Sequence, residues 1–155
     1  MTTPQNRLTQ MVDRLKAKGL RLTPQRLAIL RLLAAGDGHP SIEAIYDRMK
    51  ADFPTMSIAT VYKTMALLKE LGEVLELAFP GGVSRYDGRK PFPHPHLICL
   101  RCKKIMDPEL GSLEHLTEAA GKETGFRILS HRLDFFGLCP ECTAEIDLAR
   151  TISNE

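Results

Sequence analysis

The sequence predicts an α+β chain in two parts, and three observations predict it. Four amphipathic helical segments fill residues 8–71 and are followed by a hairpin pattern. A stretch rich in proline and glycine, Gly88-Arg89-Lys90-Pro91-Phe92-Pro93, then breaks the chain. Beyond it, short strand patterns and two helices enclose two Cys-x-x-Cys pairs, Cys99/Cys102 and Cys139/Cys142.

The 155 residues suffice for one domain or two small ones, and 43% hydrophobic with 26% charged residues is a globular composition. There is no apolar signal core near the start and no stretch approaching membrane-spanning length, so a cytoplasmic location is the default expectation. In a reducing compartment, paired Cys-x-x-Cys motifs point to metal rather than to structural disulfides. The net charge of +2 is unevenly spread. Residues 1–30 set Arg7, Arg14, Lys16, Lys18, Arg21 and Arg26 against Asp13 alone, whereas residues 81–155 carry ten basic and eleven acidic side chains. A basic end on a balanced chain suits contact with phosphates.

In order along the chain, Leu8, Met11, Val12 and Leu15 make one face of a first helix that Gly19 ends. Thr23-Pro24, a capping hydroxyl before proline, opens a second helix with Leu27, Ile29, Leu30 and Leu33, which stops at Gly36. Ser41 caps a third, with Ile42, Ile45, Tyr46 and Met49 on one face, closed by Phe53-Pro54. Ser57 opens the fourth, which ends at Gly72 and whose buried stripe is expected to be Ile58, Val61, Met65 and Leu68. Its other side offers Ala59, Thr60, Lys63 and Ala66, with Tyr62 on the flank. Small residues there let the helix approach a partner closely, and Lys63 and Tyr62 reach phosphate or base edges. Strands are expected at Val74–Phe79 and Val83–Tyr86, joined by a tight turn at Pro80-Gly81-Gly82. Helices followed by such a hairpin make a winged helix-turn-helix, with the last helix bound for the major groove.

After the break, strands are expected at His96–Cys99 and Lys104–Met106, a helix from Ser112 to about Glu123 stopped by Gly125, a long strand Phe126–Phe136, and a short helix Ala144–Arg150. The domains are accordingly residues 1–87, a hinge at 88–93, and 94–155. The second is too small for a large core, and a three-stranded sheet with an open edge needs a staple or a partner.

Cys99, Cys102, Cys139 and Cys142 have the pattern of a closed tetrahedral zinc site, each pair on a tight turn. Redox-active dithiols or a labile disulfide pair are the alternative. The segment Arg85–Asp107 also holds His94 and His96 either side of Pro95, with Asp87 and Asp107 placed to fold back, while His39 stands before the third helix. Three nitrogens and two carboxylates suit Fe(II), Mn(II) or Zn(II), and would tie the two domains together across the hinge. Surface histidines beside a proline are the bland alternative. His115 reads as exposed, and His131, alternating with Leu129 and Leu133, as inward-facing.

With these motifs in view, the chain resembles the ferric uptake regulator family over nearly its whole length. The matching stretches are GLRLTPQR (19–26), His39-Pro40, FPTMSIATVYKTMALLKELG (53–72), SRYD (84–87), HPHLICLRC (94–102), IMD (105–107) and HRLDFFGLCPEC (131–142). The resemblance implies a winged-helix domain, a dimerising α/β domain with zinc on the four cysteines, and metal-dependent homodimeric repression at a palindromic operator in double-stranded DNA. It maps the regulatory metal onto His39, Asp87, His94, His96 and Asp107, with Fe(II) or Mn(II) as the ion. It places Tyr62 at a base-contacting position, and Lys16 or Lys18 and Arg21 where family members touch the DNA backbone or minor groove; Thr60 and Lys63, from the face of the fourth helix, complete the expected DNA contacts.

Two departures refine this. Asp87 and Asp107 stand where iron-responsive members typically have glutamates, and resemble the peroxide-sensing branch. In that branch Fe(II) reacts with hydrogen peroxide, a histidine ligand gains oxygen and DNA binding ends; His39 and His94 match the histidines involved. An additional site of many iron-responsive members would fall on Pro93, Pro95, Glu114 and His131, where two prolines cannot ligate. The expectation is a peroxide-sensing repressor that turns over no substrate. The alternatives are an iron-responsive regulator, a metalloenzyme using the His/Asp set, and a zinc-stabilised interaction module.

Overall fold

The structure, a computed structural model, describes residues 3–36, 38–79, 82–111 and 113–153. It divides into two compact units, Met1–Phe92 and Pro93–Glu155. No described helix is long and apolar enough to cross a membrane.

The first unit opens with α1 (Pro4–Ala17), α2 (Pro24–Ala35), α3 (Ile42–Met49) and α4 (Ile58–Glu70). The first three start alike. Thr3, Thr23 and Ser41 each accept the backbone N–H of the third helical residue, satisfying a donor that the helix itself leaves open. α2 ends as expected on Gly36, at φ +72°. Ser57 precedes α4, but its hydroxyl lies 3.2 Å from the Thr60 hydroxyl and caps no backbone N–H.

Met11, Leu15, Ile29, Leu30, Leu33, Ile45, Val61, Met65 and Leu68 fill the core where the four helices meet. Burying one such side chain stabilises a fold by roughly 1.5–3 kcal/mol before conformational entropy is counted. Ile58 departs from the expected stripe and is 37% exposed, because it is the first residue of α4 and overhangs the core. Thr64 is buried instead, its hydroxyl donating to the Thr60 carbonyl at 2.8 Å.

The hairpin is shorter than expected. β1 (Leu75–Leu77) and β2 (Arg85–Asp87) pair antiparallel, with Glu76 opposite Tyr86. Pro80 and Gly81 of the expected turn lie outside the described residues; Gly82 donates its N–H to Phe79. The hairpin is tied to the helices by Arg7. This arginine, counted above among phosphate-facing charges, is 5% exposed. Its Nε donates to the Gly88 carbonyl (2.7 Å), one Nη donates to the Glu73 carbonyl (2.8 Å), and the other pairs with the Glu73 carboxylate (2.8 Å). Gly88, read as the start of a hinge, is thereby held against α1. A Cβ there would lie 2.6 Å from that of Leu33.

The second unit contains β3 (His96–Cys99), β4 (Ile105–Met106), α5 (Glu114–Thr124), β5 (Asp134–Gly137) and α6 (Pro140–Ser153). Its sheet has the order β4-β3-β5, antiparallel between β3 and β4 and parallel between β3 and β5. The long strand expected over Phe126–Phe136 shrinks to β5. A strand needs ladder partners, and β3 offers β5 only four. Residues 126–133 run irregularly, with Phe126 73% and Leu129 85% exposed. His131 is exposed too, against the expectation of an inward-facing ring. Ser112, the expected first residue of α5, lies outside the described residues, and Leu113 precedes the helix without a side-chain cap. α6 starts at Pro140 rather than Ala144, proline being favoured in the first turn. The apolar interior is thin: Ile98, Ile105, Cys99 and Cys142 are buried, while α5 buries nothing.

Candidate metal centres

The four cysteines converge although 36 residues separate the pairs. β3 delivers Cys99 and the β3–β4 turn Cys102, while the approach to α6 supplies Cys139 and the helix itself Cys142. Each offers its sulfur within 4.8 Å of the others. The Cys102 and Cys139 sulfurs are 3.7 Å apart. A disulfide would hold them near 2.05 Å. Four sulfurs about 2.3 Å from one zinc ion are spaced by about 3.8 Å, so this set fits the metal.

Local electrostatics prepare the site. The Cys139 N–H points at the Cys99 sulfur (3.4 Å) and, with the Cys102 N–H, holds the Cys99 thiol down at about 6. Burial pushes Cys142 up to about 12. One cysteine therefore enters as thiolate near neutral pH, whereas another gives up its proton only to a metal. Lys104 pairs with Glu141 (3.2 Å), and Arg101 reaches the Cys142 carbonyl (3.3 Å), so the two cysteine turns are also bridged by side chains.

The His/Asp residues fall into a half-site on each unit. On the first, the Tyr86 N–H donates to the Pro40 carbonyl (3.0 Å) and Arg85 Nε to the His39 carbonyl, pinning the α2–α3 loop to β2. This brings His39 Nε2 within 3.4 Å of Asp87 Oδ2, and both side chains are about 5% exposed. The other Asp87 oxygen accepts the N–H groups of Arg89 (2.7 Å) and Lys90 (2.9 Å), which orient the carboxylate. On the second unit, His94 Nε2 lies 3.4 Å from Asp107 Oδ1, and the His94 and His96 rings are 4.3 Å apart. His94, His96 and Asp107 can each direct one ligand atom to within 4.8 Å of the others. Buried imidazole nitrogens clustered with carboxylates fit a divalent transition metal.

One neighbour was missed. His96 Nδ1 is 3.3 Å from Asp134 Oδ1. No local signal announces Asp134, since the parallel pairing of β3 with β5 brings it there.

On α4, Ala59, Tyr62, Lys63 and Ala66 are exposed as expected, and Thr60 is half-buried. Lys16, Lys18 and Arg21 are exposed on and after α1. Tyr62 donates its hydroxyl to Glu43 (3.3 Å), a residue the sequence reading passed over, and the Glu43 charge raises the Tyr62 phenol above its ordinary value.

The model of the ferric uptake regulator family matches residues 17–136. The peroxide-responsive repressor PerR of Staphylococcus saprophyticus is 36% identical over 142 residues, covering 92% of this chain and 95% of its own. The peroxide operon regulator of Bacillus subtilis is 39% identical over 136 residues, covering 88% and 93%. Among solved structures, the Helicobacter pylori ferric uptake regulator, described with three functional metal-binding sites, superposes with a TM-score of 0.75 at 26% identity over 91% of this chain and 94% of its own. PerR from Streptococcus pyogenes gives 0.51 at 29% identity over 87% and 92%. With a match across most of the chain and relatives of this identity at near full coverage, this protein belongs to the ferric uptake regulator family.

Proposed function

We propose that this protein is a metal-dependent, dimeric DNA-binding repressor that senses peroxide in the cytoplasm, with structural zinc on Cys99, Cys102, Cys139 and Cys142. A regulatory Fe(II) or Mn(II) is held by His39, Asp87, His94, His96 and Asp107. The observation that carries this reading is the twin His–Asp pairing, His39 with Asp87 and His94 with Asp107, each at 3.4 Å through Nε2. Similarity to repressors named for their peroxide response supports the same branch.

The chain's own residues supply the rest. α4 offers DNA a face of small residues around Tyr62 and Lys63, flanked by Lys16, Lys18 and Arg21. Met106, Leu97 and Phe135 stand side by side across β4, β3 and β5, each more than 40% exposed, and this apolar row suits a second copy. A two-fold dimer reads a palindromic operator. Residues 1–87 then serve as the DNA-binding domain, 88–93 as the connection and 94–155 as the dimerising domain. Because the regulatory ligands come from both domains, metal occupancy favours the DNA-binding state only by its differential affinity; moving 1:99 to 99:1 takes about 5.5 kcal/mol.

Bound Fe(II) would supply the one-electron chemistry that activates peroxide beside its ligands. Overall, one imidazole C–H and one hydrogen peroxide give a carbon bearing one new oxygen and one water, the imidazole carbon supplying the two electrons. His39 and His94, once oxidised, hold metal poorly, and the DNA-binding state is lost. This single oxidation is a signal, not turnover.

The test loads Fe(II) anaerobically, adds one equivalent of hydrogen peroxide and maps added oxygen by mass spectrometry, with a Mn(II)-loaded control. One oxygen on His39 or His94 in the iron sample alone is expected. Untouched histidines with iron bound would move the assignment to iron-responsive repression, and sustained peroxide consumption would replace the sensor with an enzyme.

A further inference from the structure

Three histidines here lie against aspartates, and they do so in two different ways. His39 meets Asp87, and His94 meets Asp107, through Nε2. All four of these residues belong to the regulatory set proposed above, so these approaches bring ligand to ligand. His96 meets Asp134 through Nδ1, on the opposite side of the ring, and Asp134 is outside that set. We infer that Asp134, steadied by Arg132, is the positioning residue of His96: it holds the proton on Nδ1 and turns Nε2 to the metal. This inference rests on His96 being a regulatory ligand.

The sheet builds the arrangement. His96 and Asp134 are register partners of the parallel β3–β5 pair, and the His96 N–H donates to the Leu133 carbonyl at 3.0 Å. The His96 side chain is 1% exposed and that of Asp134 10%. Neither has room to swing away, and little water competes for the ring. Arg132 Nε donates to Asp134 Oδ2 at 2.6 Å, which engages one oxygen and orients the other, Oδ1, toward the imidazole. Arg132 itself is 40% exposed, so its charge costs little to place. A carboxylate on the far nitrogen selects one tautomer, fixes the ring plane and makes the ligating nitrogen a better electron donor. A buried pair serving only to hold β3 to β5 would produce the same distance. What separates the two roles is the effect on metal.

The experiment uses zinc-loaded full-length protein and Mn(II) alone as probe, bound metal being read from loss of the free Mn(II) resonance. Asp134→Ala is expected to weaken Mn(II) binding by about 10–100-fold, the range for removing such a partner, with zinc content and dimer mass unchanged. Asp134→Glu should recover part of the loss, and Arg132→Ala should lose less than Asp134→Ala. Long-range nitrogen–proton NMR of the Mn(II)-free protein at pH 8 should place the His96 proton on Nδ1, and Asp134→Ala should shift it toward Nε2. A proton on Nε2 in the unsubstituted protein overturns the inference. So does a folded Asp134→Ala that binds Mn(II) within about twofold of the unsubstituted protein, well short of that range. If Asp134→Ala cannot keep its zinc, the tautomer of the unsubstituted protein and the Arg132→Ala affinity decide instead. His96→Ala separates the two levels of argument. If it too leaves Mn(II) affinity unchanged, the regulatory set itself is wrong; if it weakens binding and Asp134→Ala does not, only the positioning role falls.

Discussion

Arg7→Ala should be the most damaging single change in the first unit away from its apolar core. The side chain is 5% exposed and serves three acceptors: the Gly88 carbonyl at 2.7 Å, the Glu73 carbonyl at 2.8 Å and the Glu73 carboxylate at 2.8 Å. Truncation strips all three and leaves the Glu73 side chain, 11% exposed, with the more distant Arg14 guanidinium at 3.7 Å. Removing one partner of a buried ion pair costs about 3–5 kcal/mol. For a unit of this size each kcal/mol moves Tm by roughly 4–8 °C, so the loss lies between roughly 12 and 40 °C. The assay is unusually clean. All three tyrosines, Tyr46, Tyr62 and Tyr86, lie in the first unit and the chain has no tryptophan, so tyrosine fluorescence in a urea titration reports that unit alone. Arg7→Lys should recover little, because one ammonium cannot serve three acceptors in the geometry of a guanidinium. Arg7→Met with Glu73→Gln should be milder than Arg7→Ala, since no carboxylate is stranded. A loss below about 1 kcal/mol for Arg7→Ala would refute the reasoning, placing the pair with solvent-exposed bridges.

Further outcomes test the rest. Cys102→Ser, or chelation of zinc, should unfold the second unit and leave tyrosine-reported unfolding of the first unchanged, because structural zinc contributes about 10–16 kcal/mol in small modules and little else holds this one; circular dichroism against tyrosine fluorescence checks it. Lys63→Ala should weaken operator binding and reduce the slope of log K against log salt by about one, seen in fluorescence anisotropy across a salt series. Burial, then the Glu76 charge, pushes the Tyr86 hydroxyl up to about 12. The folded state therefore keeps this proton more tightly than the unfolded chain, and the associated stability is present below pH 10 and lost as pH rises toward 12. An absorbance titration at 295 nm should show a tyrosinate step near 12 that Tyr86→Phe removes.

Much of the first unit was legible in the sequence because its signals are local. Thr23-Pro24, Ser41 and Gly36 mark helix ends through bonds and dihedrals reaching no further than a turn, and the 3.6-residue period marks the buried faces. The cysteine set was legible for a different reason: two tight thiolate pairs in one chain have few other uses, so chemistry stood in for distance. What failed did so where the decisive partner lay far along the chain. Arg7 read as a surface charge because its partners, Glu73 and Gly88, are 66 and 81 residues away. Phe126–Phe136 read as one strand because alternation records a side-chain pattern and not the length of ladder available. Asp134 carried no signal of its place beside His96, since only the parallel register of β5 with β3 sets it there. The sequence by itself determined the helices of the first unit and the metal-binding chemistry of the four cysteines. Tertiary structure decided which charges are buried, how far the sheet extends and which carboxylate stands behind which imidazole, because each of those depends on where two distant segments meet.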